Sequence, residues 1–348
     1  MLDLKDSSQV KFWLSENKVL FVTNSTLRPG GTFLASLLTY ADDIPMHNFA
    51  LIPGIKIQIN AQGRKSEAPN YGFDVFDEMT KRAMTDIIWK QYNYAIYIDD
   101  DCFIADFSLL IELFMDFKDS GCCLAGSLDG GVFSHRNHSG LLINTFLSFW
   151  NLKMIREKTN VETFHSTMVN IHKSGRSYEM FLEMLPESLS GKMIDMANDV
   201  CERMRQYRKE NFPIKRGNDG WTDYAVIVTD DKDNPIEPHQ TPYSSKMEKT
   251  NFEPYYVVEE AWVLLTGCPI YYFYATDYYD ETLDNDATDN SGLTSCVFGI
   301  NPDGEQSDGT LSRVAYHTWF SRAYSKFPMN EVMLKHTLRI NKIIGNLL

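Results

Sequence analysis

Three consecutive carboxylates end an apolar segment of the chain. Asp99, Asp100 and Asp101 follow the run Tyr94 to Ile98, in which Ile and Tyr are typical of a buried strand. Carboxylates at the carboxyl end of such a strand lie where open α/β sheets bind ligands. A surface turn is the alternative, because Asp is common in turns, but three adjacent like charges need a counter-ion. We therefore expect Asp99 and Asp101 to bind one divalent cation, with coordination positions left for a diphosphate.

Composition limits the classes of protein to which the chain can belong. It has 348 residues, 43% of them hydrophobic, and a formal net charge of −14. This length allows one large domain or two modest ones with a normal core. The negative charge argues against broad, non-specific binding to nucleic acid or to an acidic membrane, although it leaves room for a local basic groove.

Targeting signals and cysteine usage favour a cytoplasmic protein. The segment Met1 to Ser8 lacks the basic and then apolar pattern of a signal peptide. No run reaches the ~18 apolar residues that a membrane span needs. The six cysteines form no Cys-x-x-Cys pair, so a structural zinc site is not expected. Scattered cysteines in a chain of this length are typical of reduced, buried thiols.

Strands and helices alternate around the acidic segment. Residues 18–23 are typical of a buried strand, 24–31 of a loop and 32–40 of a helix, an arrangement that opens many α/β nucleotide-binding layers. Apolar residues at helical spacing predict a helix over 74–90, just before the acidic strand. The other expected elements are a strand at 55–59, a helix at 107–117, strands at 122–126 and 140–144, and strand-like patterning at 221–229.

Two further segments differ from the rest in character. Residues 151–216 are charged, rich in Met and periodic, which predicts a helical insertion. Residues 328–348 combine an apolar side with a basic side, as an amphipathic helix does. That helix has two interpretations: packing on the domain or on a second copy of the chain, or peripheral contact with a membrane or partner.

Several segments match one class of enzyme. They are the strand end Leu20 to Asn24, the Ser-Leu pair within Leu34 to Leu38, Arg82 in the helix before the acids, the acidic strand Tyr97 to Leu110, and the segment Asn137 to Asn144. With a histidine near the end of the chain, His317, they resemble the GT-A-fold, nucleotide-sugar-dependent glycosyltransferases, most closely glycosyltransferase family eight. The likeness covers roughly residues 18–150.

The resemblance implies an α/β fold of the GT-A, Rossmann-like type. A mixed central sheet would carry flanking helices, the helical insertion and the C-terminal helix. The catalytic domain would span residues 1–327. Within it, 18–150 would form the nucleotide-sugar-binding half, 151–216 the insertion and 217–327 the acceptor-side half, followed by the C-terminal helix 328–348.

The same resemblance implies a metal centre. Asp99, Asp101 and His317 would hold Mn²⁺ or Mg²⁺, and an imidazole ligand favours Mn²⁺. A bound cation neutralises the charge that develops on the diphosphate as the sugar leaves. Asp100 would contact the ribose or the donor sugar. For His317 the alternative is a core histidine, since aromatic residues follow it in the sequence.

Other residues would bind the donor. Arg82 would pair with phosphate or sugar hydroxyls through its fork of donors, or it is an ordinary charge on a helix face. Thr23 and Asn24 would meet the nucleobase or ribose, or they begin a turn. The residues expected to line the sugar pocket, or else to form a polar loop, are His138, Ser139 and Asn144.

The acid that would activate the acceptor has several candidates. An inverting enzyme needs a general base for the acceptor hydroxyl, whereas a retaining enzyme needs no dedicated base. Glu259 and Glu260 follow an apolar run, as Asp99 does, so we prefer this pair to Asp219 and Asp223. Inverting and retaining outcomes both stay open.

The expected function is therefore metal-dependent transfer of a sugar from a UDP- or GDP-sugar to an acceptor hydroxyl. A glycan, a protein or a modified nucleobase are all possible acceptors. A sugar nucleotidyltransferase is the second hypothesis, but that class usually carries a Gly-rich, basic loop near the first strand, and only Arg28 to Gly31 hints at one. A non-catalytic carbohydrate-binding protein is the third, because the aromatic residues of 255–279 suit sugar stacking.

Overall fold

A central sheet of mixed direction organises the chain. The computed structural model describes residues 7–23, 46–48, 73–99, 102–130, 132–133, 139–173, 178–211, 228–229, 235–236, 255–277, 294–299 and 313–318. Six strands form the central sheet: β1 (Val19–Thr23), β2 (Met46–Asn48), β3 (Tyr94–Ile98), β5 (Leu124–Leu128), β6 (Ile143–Trp150) and β9 (Ile270–Phe273). Their order is β2-β1-β3-β6-β5-β9. All pair in parallel except β6, which is antiparallel to both of its neighbours.

A second, smaller sheet lies beside the end of β3. Its strands are β4 (Cys102–Ile104), β10 (Ala275–Asp277), β11 (Thr294–Phe298) and β12 (Arg313–Thr318), in the antiparallel order β10-β11-β12-β4. Because β3 belongs to the central sheet and β4 to the smaller one, Asp99 lies at the junction of the two sheets. A separate two-stranded pair joins β7 (Val228–Thr229) to β8 (Pro235–Ile236).

Helices flank the central sheet. They are α1 (Ser7–Asn17), α2 (Phe73–Thr85), α3 (Phe107–Ser120), α4 (Leu152–Lys158), α5 (Val161–Lys173), α6 (Tyr178–Met184), α7 (Glu187–Asn211) and α8 (Tyr256–Thr266). α8 is buried over residues 256–263, Glu259 and Glu260 included, and it packs against α5, α4 and α2. None of the helices in the described part of the chain combines the length and the apolar character needed to cross a membrane.

Large aromatic side chains fill the core between α2, α8 and the sheet. The ring of Phe76 stacks on Trp150, with 4.7 Å between ring centroids, and meets Tyr97 edge-on at 4.8 Å. Trp150 in turn meets Trp262 edge-on at 5.1 Å. Aromatic pairs in these geometries contribute beyond their buried area. They fix the orientation of Tyr97, which lies two residues before Asp99.

Those predicted strands and helices of the first 211 residues that lie in the described part of the chain are confirmed with shifted ends. The first strand and the acidic strand match β1 and β3. The helical segment is confirmed by the helices α4 to α7 in the described residues 151–173 and 178–211. The helix expected over 74–90 ends at Thr85, because the Asp86 carboxylate accepts the backbone N–H groups of Ile88 and Trp89 and starts a 3-10 turn at Trp89–Gln91.

The strand expected at 140–144 begins later than predicted and runs further. The Ser139 hydroxyl accepts the backbone N–H groups of Leu141 and Leu142, at 3.2 and 3.0 Å. This local turn uses two donors that a strand ladder would need, so β6 begins only at Ile143. The helix expected at 32–40, the strand at 55–59 and the C-terminal helix at 328–348 lie outside the described residues.

All six cysteines are described, and no disulfide joins any two of them. Five of the six are buried. The expectation of unbridged, mostly buried thiols is therefore confirmed.

Candidate metal and ligand site

The carboxyl ends of the parallel strands meet at one edge of the central sheet. Thr23 ends β1, Asp99 follows β3 and Asp129 follows β5. β6 runs in the opposite direction, so its first residues, Ile143 and Asn144, lie at the same edge. β2 lies on one side of β1 and β3 on the other. The strand order therefore reverses between β1 and β3, which makes their carboxyl ends a topological switch point, where open α/β sheets bind ligands.

Asp99 is half-buried and is held by its side chain and by its backbone. Its Oδ1 accepts a hydrogen bond from the Tyr97 hydroxyl at 2.7 Å. Its N–H donates to the Phe146 carbonyl at 2.8 Å, and its carbonyl accepts from the Cys102 N–H at 3.1 Å. These contacts tie the residue to β6 in the central sheet and to β4 in the smaller sheet.

His317 shares two neighbours with Asp99, namely Cys102 and Phe146. It is buried in β12, where its Cα pairs with that of Cys102. Its ring stacks face to face on Phe146, with 4.4 Å between centroids and 3° between planes. Phe146 thus contacts both expected ligands, Asp99 through its carbonyl and His317 through its ring. Two residues that lie 218 positions apart in the sequence thus contact the same residue of β6.

The donor set suits a transition-metal ion. A carboxylate and an imidazole together match Mn²⁺ better than Mg²⁺, which prefers oxygen ligands alone. Asp100 and Asp101 lie outside the described residues. Within the described part of the chain, no group of three or more His, Cys, Asp or Glu side chains is placed to hold a metal ion. The described residues include two of the three expected ligands, Asp99 and His317, and metal binding by all three stays a prediction.

Thr23 lies across the switch point from Asp99. Its Cα pairs with that of Ile98, the residue before Asp99. The side chain is fully buried, and its Oγ1 has no hydrogen-bond partner among the described residues. A buried hydroxyl usually finds a partner, so this oxygen is a candidate contact for a bound ligand. Asn24, its predicted companion, lies outside the described residues.

Arg82 is placed on the last turn of α2. Its Nε contacts Glu78 Oε1 at 2.8 Å, and its Nη1 contacts Asp86 Oδ2 at 3.7 Å. Both partners are one helical turn away, the usual spacing for ion pairs along a helix. The last turn of α2 leads to the amino end of β3, whereas Asp99 follows the carboxyl end. Phosphate binding by Arg82 stays a prediction.

A second acid at the same edge was not among the expected site residues. Asp129 is fully buried, and its Oδ1 accepts from the Asn144 side-chain amide at 2.8 Å. Its Oδ2 accepts from the hydroxyls of Tyr255, at 2.9 Å, and Tyr256. Three donors satisfy the carboxylate. The structure therefore gives Asn144 a role within the protein, besides its predicted role in the sugar pocket.

Asp129 carries a weak sequence signal and its partners carry none. An acid followed by two glycines, three residues after the end of the strand predicted at 122–126, could have identified it. The two tyrosines lie 126 and 127 residues away along the chain. No local pattern predicts that pairing. His138, expected beside Ser139 in the sugar pocket, lies outside the described residues.

Glu259 and Glu260 lie in the middle of α8. The apolar run before them had suggested acids at the end of a strand. The structure shows a buried helix instead, which ends at Gly267 in a left-handed cap with a φ of 67°. Glu259 is fully buried, and its Oε2 accepts the Ile143 N–H at 3.0 Å. Its Oε1 has no hydrogen-bond partner among the described residues. Glu260 is buried beside it.

The surroundings of Glu259 favour its neutral form. Burial raises the pKa of Glu259 well above its ordinary value, and the charges of Asp129 and Glu260 raise it further. The hydrogen bond from Ile143 opposes this shift without overcoming it. A general base at this position would first have to lose its proton. Asp223, the other expected base, lies outside the described residues.

No family model matches the chain, and no curated protein matches it.

Proposed function

We propose that the chain is a metal-dependent glycosyltransferase that moves a sugar from a UDP- or GDP-sugar to an acceptor hydroxyl. The observation that carries the proposal is the contact of Phe146 with both Asp99 and His317 at the switch point of the sheet. It supports the proposal because the two residues were chosen from the sequence as ligands of one cation.

The mixed sheet with flanking helices supports the GT-A part of the proposal. Such an architecture is what the resemblance implies, and Thr23 and Asp99 occupy neighbouring strand ends. Donor diphosphates are anionic, and a net charge of −14 makes a bound cation the natural counter-charge. The six unbridged cysteines support a cytoplasmic enzyme.

The chemistry proposed for the site divides the work among its residues. Asp99, Asp101 and His317 would hold Mn²⁺ or Mg²⁺, which when bound stabilises the departing nucleoside diphosphate as a Lewis acid. The Thr23 hydroxyl would bind the nucleoside part of the donor beside β1. Glu259, Glu260 and Asp223 are the candidates for the acceptor base if the reaction inverts configuration. A retaining reaction would need none of them in that role.

The decisive experiment joins ligand binding to turnover. The protein is incubated with Mn²⁺ and a panel of UDP- and GDP-sugars, and thermal shift and donor hydrolysis are measured with and without EDTA. We expect one nucleotide-sugar class to raise the melting temperature and to be hydrolysed only when metal is present. Absence of metal-dependent nucleotide binding would refute the proposal.

A substitution tests the metal assignment directly. Asp101→Asn keeps the side-chain size and removes the charge, so transfer and donor hydrolysis should fall at least ~100-fold while far-UV circular dichroism stays unchanged. Full activity in this variant would remove the metal assignment. Pyrophosphate release from a nucleoside triphosphate and a sugar phosphate would favour a nucleotidyltransferase, and metal-independent binding of free sugars would favour a carbohydrate-binding protein.

A further inference from the structure

The Tyr97 hydroxyl is hydrogen-bonded to the Asp99 carboxylate. It donates to Asp99 Oδ1 at 2.7 Å, within the range of a short, charge-assisted hydrogen bond. We propose that Tyr97 is a positioning residue for the metal centre: its hydroxyl fixes the rotation of the Asp99 carboxylate and so directs that ligand at the cation. This inference rests on the proposed function, because it assigns a role toward the same cation.

The orientation of the Tyr97 ring is itself fixed. The residue is fully buried, and its ring meets Phe76 edge-on with 4.8 Å between centroids. Phe76 is itself stacked on Trp150, so the Tyr97 ring packs against a pair of aromatic side chains that are held in place. A buried phenol loses little further freedom when it binds a carboxylate, because its two side-chain torsions are already set by packing. The hydrogen bond therefore orients Asp99 at small entropic cost.

Phe146 complements this arrangement from the neighbouring strand. Its carbonyl accepts the Asp99 N–H, which fixes the backbone of the first ligand, and its ring stacks on His317, which fixes the plane of the second. Tyr97 then restrains the side-chain torsions of Asp99, which the backbone contact leaves undetermined. Groups that orient metal ligands in this way change metal affinity by roughly 10–100-fold when they are removed.

The test removes the hydroxyl and keeps the ring. In Tyr97→Phe the packing against Phe76 is preserved, so the melting temperature should stay within about 2 °C of wild type for the loss of one partly exposed hydrogen bond. Mn²⁺ alone is titrated into the full-length protein by calorimetry, and the electron paramagnetic resonance spectrum of the bound ion is recorded. We expect the dissociation constant for Mn²⁺ to rise roughly 10-fold or more and the spectrum of the bound ion to change.

A matched control comes from the same strand. Tyr94 is half-buried at the start of β3 and packs against Phe114 at 5.2 Å, four positions before the strand ends at Ile98. Tyr94→Phe removes a hydroxyl from β3 without touching Asp99, so its Mn²⁺ affinity should equal that of wild type. An equal loss in both variants would mean that the effect is structural, which would overturn the inference.

Kinetics separate positioning from catalysis. In Tyr97→Phe the Mn²⁺ concentration for half-maximal activity should rise, while activity at saturating Mn²⁺ should recover most of the wild-type rate. A lower rate that saturating Mn²⁺ does not restore, with unchanged metal affinity, would contradict a positioning role.

The two proposals fail in different ways. If wild type and Asp99→Asn both lack Mn²⁺ binding, the metal centre is absent and the proposed function fails together with this inference. If wild type binds Mn²⁺, Asp99→Asn loses it and Tyr97→Phe matches wild type, only the positioning role of Tyr97 is overturned.

Discussion

Two acids at one edge of the sheet have opposite surroundings. Asp99 is half-buried at the junction of two sheets, and its side chain accepts a hydrogen bond from the Tyr97 hydroxyl. Asp129 is fully buried and accepts hydrogen bonds from a side-chain amide on β6 and from two tyrosine hydroxyls at the start of α8. The comparison indicates that Asp129 fastens a helix to the sheet, whereas Asp99 stands where a ligand can reach the strand ends.

The difference follows from where the donors come from. Tyr255 and Tyr256 reach Asp129 from α8, which packs beneath β5. Three donors replace the water that the Asp129 carboxylate has lost. Glu259 lies on the same helix with one backbone donor, and burial raises its pKa. The two buried acids therefore differ in how many donors the protein supplies to each.

Removing the Asp129 carboxylate should have the largest effect on stability. Asp129→Ala leaves the Asn144 amide and two tyrosine hydroxyls buried without their acceptor, at about 1–3 kcal/mol each when unsatisfied. We expect the free energy of unfolding, measured by urea denaturation, to fall by about 3–5 kcal/mol. Asp99→Ala is the matched comparison: it removes the acceptor of one hydroxyl, that of Tyr97, and should lower the free energy of unfolding by only about 1–2 kcal/mol. Similar losses in both variants would remove the contrast between the two acids.

Replacing Glu259 should change how stability depends on pH. An acid whose pKa is raised in the folded state stabilises the protein fully below its unfolded pKa, and this contribution is lost as pH rises through the folded pKa. Between those two values wild type should therefore lose up to about 1.4 kcal/mol per pH unit from this group. Glu259→Gln, which can still accept the Ile143 N–H, should lack that slope.

The measurement for Glu259 is urea denaturation from about pH 5 to about pH 8. The variant should gain stability relative to wild type as pH rises across this window. Glu112→Gln, a substitution at an exposed position of α3, serves as the control and should run parallel to wild type. A constant difference between Glu259→Gln and wild type at every pH would show that the buried carboxyl does not hold its proton.

Removing a single donor should have the smallest effect. Tyr256→Phe deletes one of the hydroxyls that reach Asp129 and keeps the buried ring. The remaining donors, Asn144 and Tyr255, still satisfy the carboxylate in part. We expect the free energy of unfolding to fall by about 1.5 kcal/mol, again by urea denaturation. A loss as large as that of Asp129→Ala would mean that the Asp129 network depends on this one hydroxyl.

Much of the layout was predictable from local pattern. β1 and β3 are continuous apolar runs because strands covered on both faces bury every side chain. The helix α3 has its own signals: the Asp106 side chain accepts the N–H groups of Ser108 and Leu109 at its start, and Gly121, with a φ of 70°, ends it. The ends of helices and strands were less predictable, because the side chains of Asp86 and Ser139 accept hydrogen bonds from nearby backbone N–H groups and so interrupt the regular pattern.

The sequence by itself determined that three acids follow a buried strand and that strands alternate with helices before them. Apolar period, caps and turn residues are local properties, so they can be read from neighbouring positions. Only the tertiary structure decided that His317 stacks on the residue that holds the Asp99 backbone, and that Asp129 is satisfied from α8. Those contacts depend on strand order and helix packing, which join residues more than a hundred positions apart and leave no local trace.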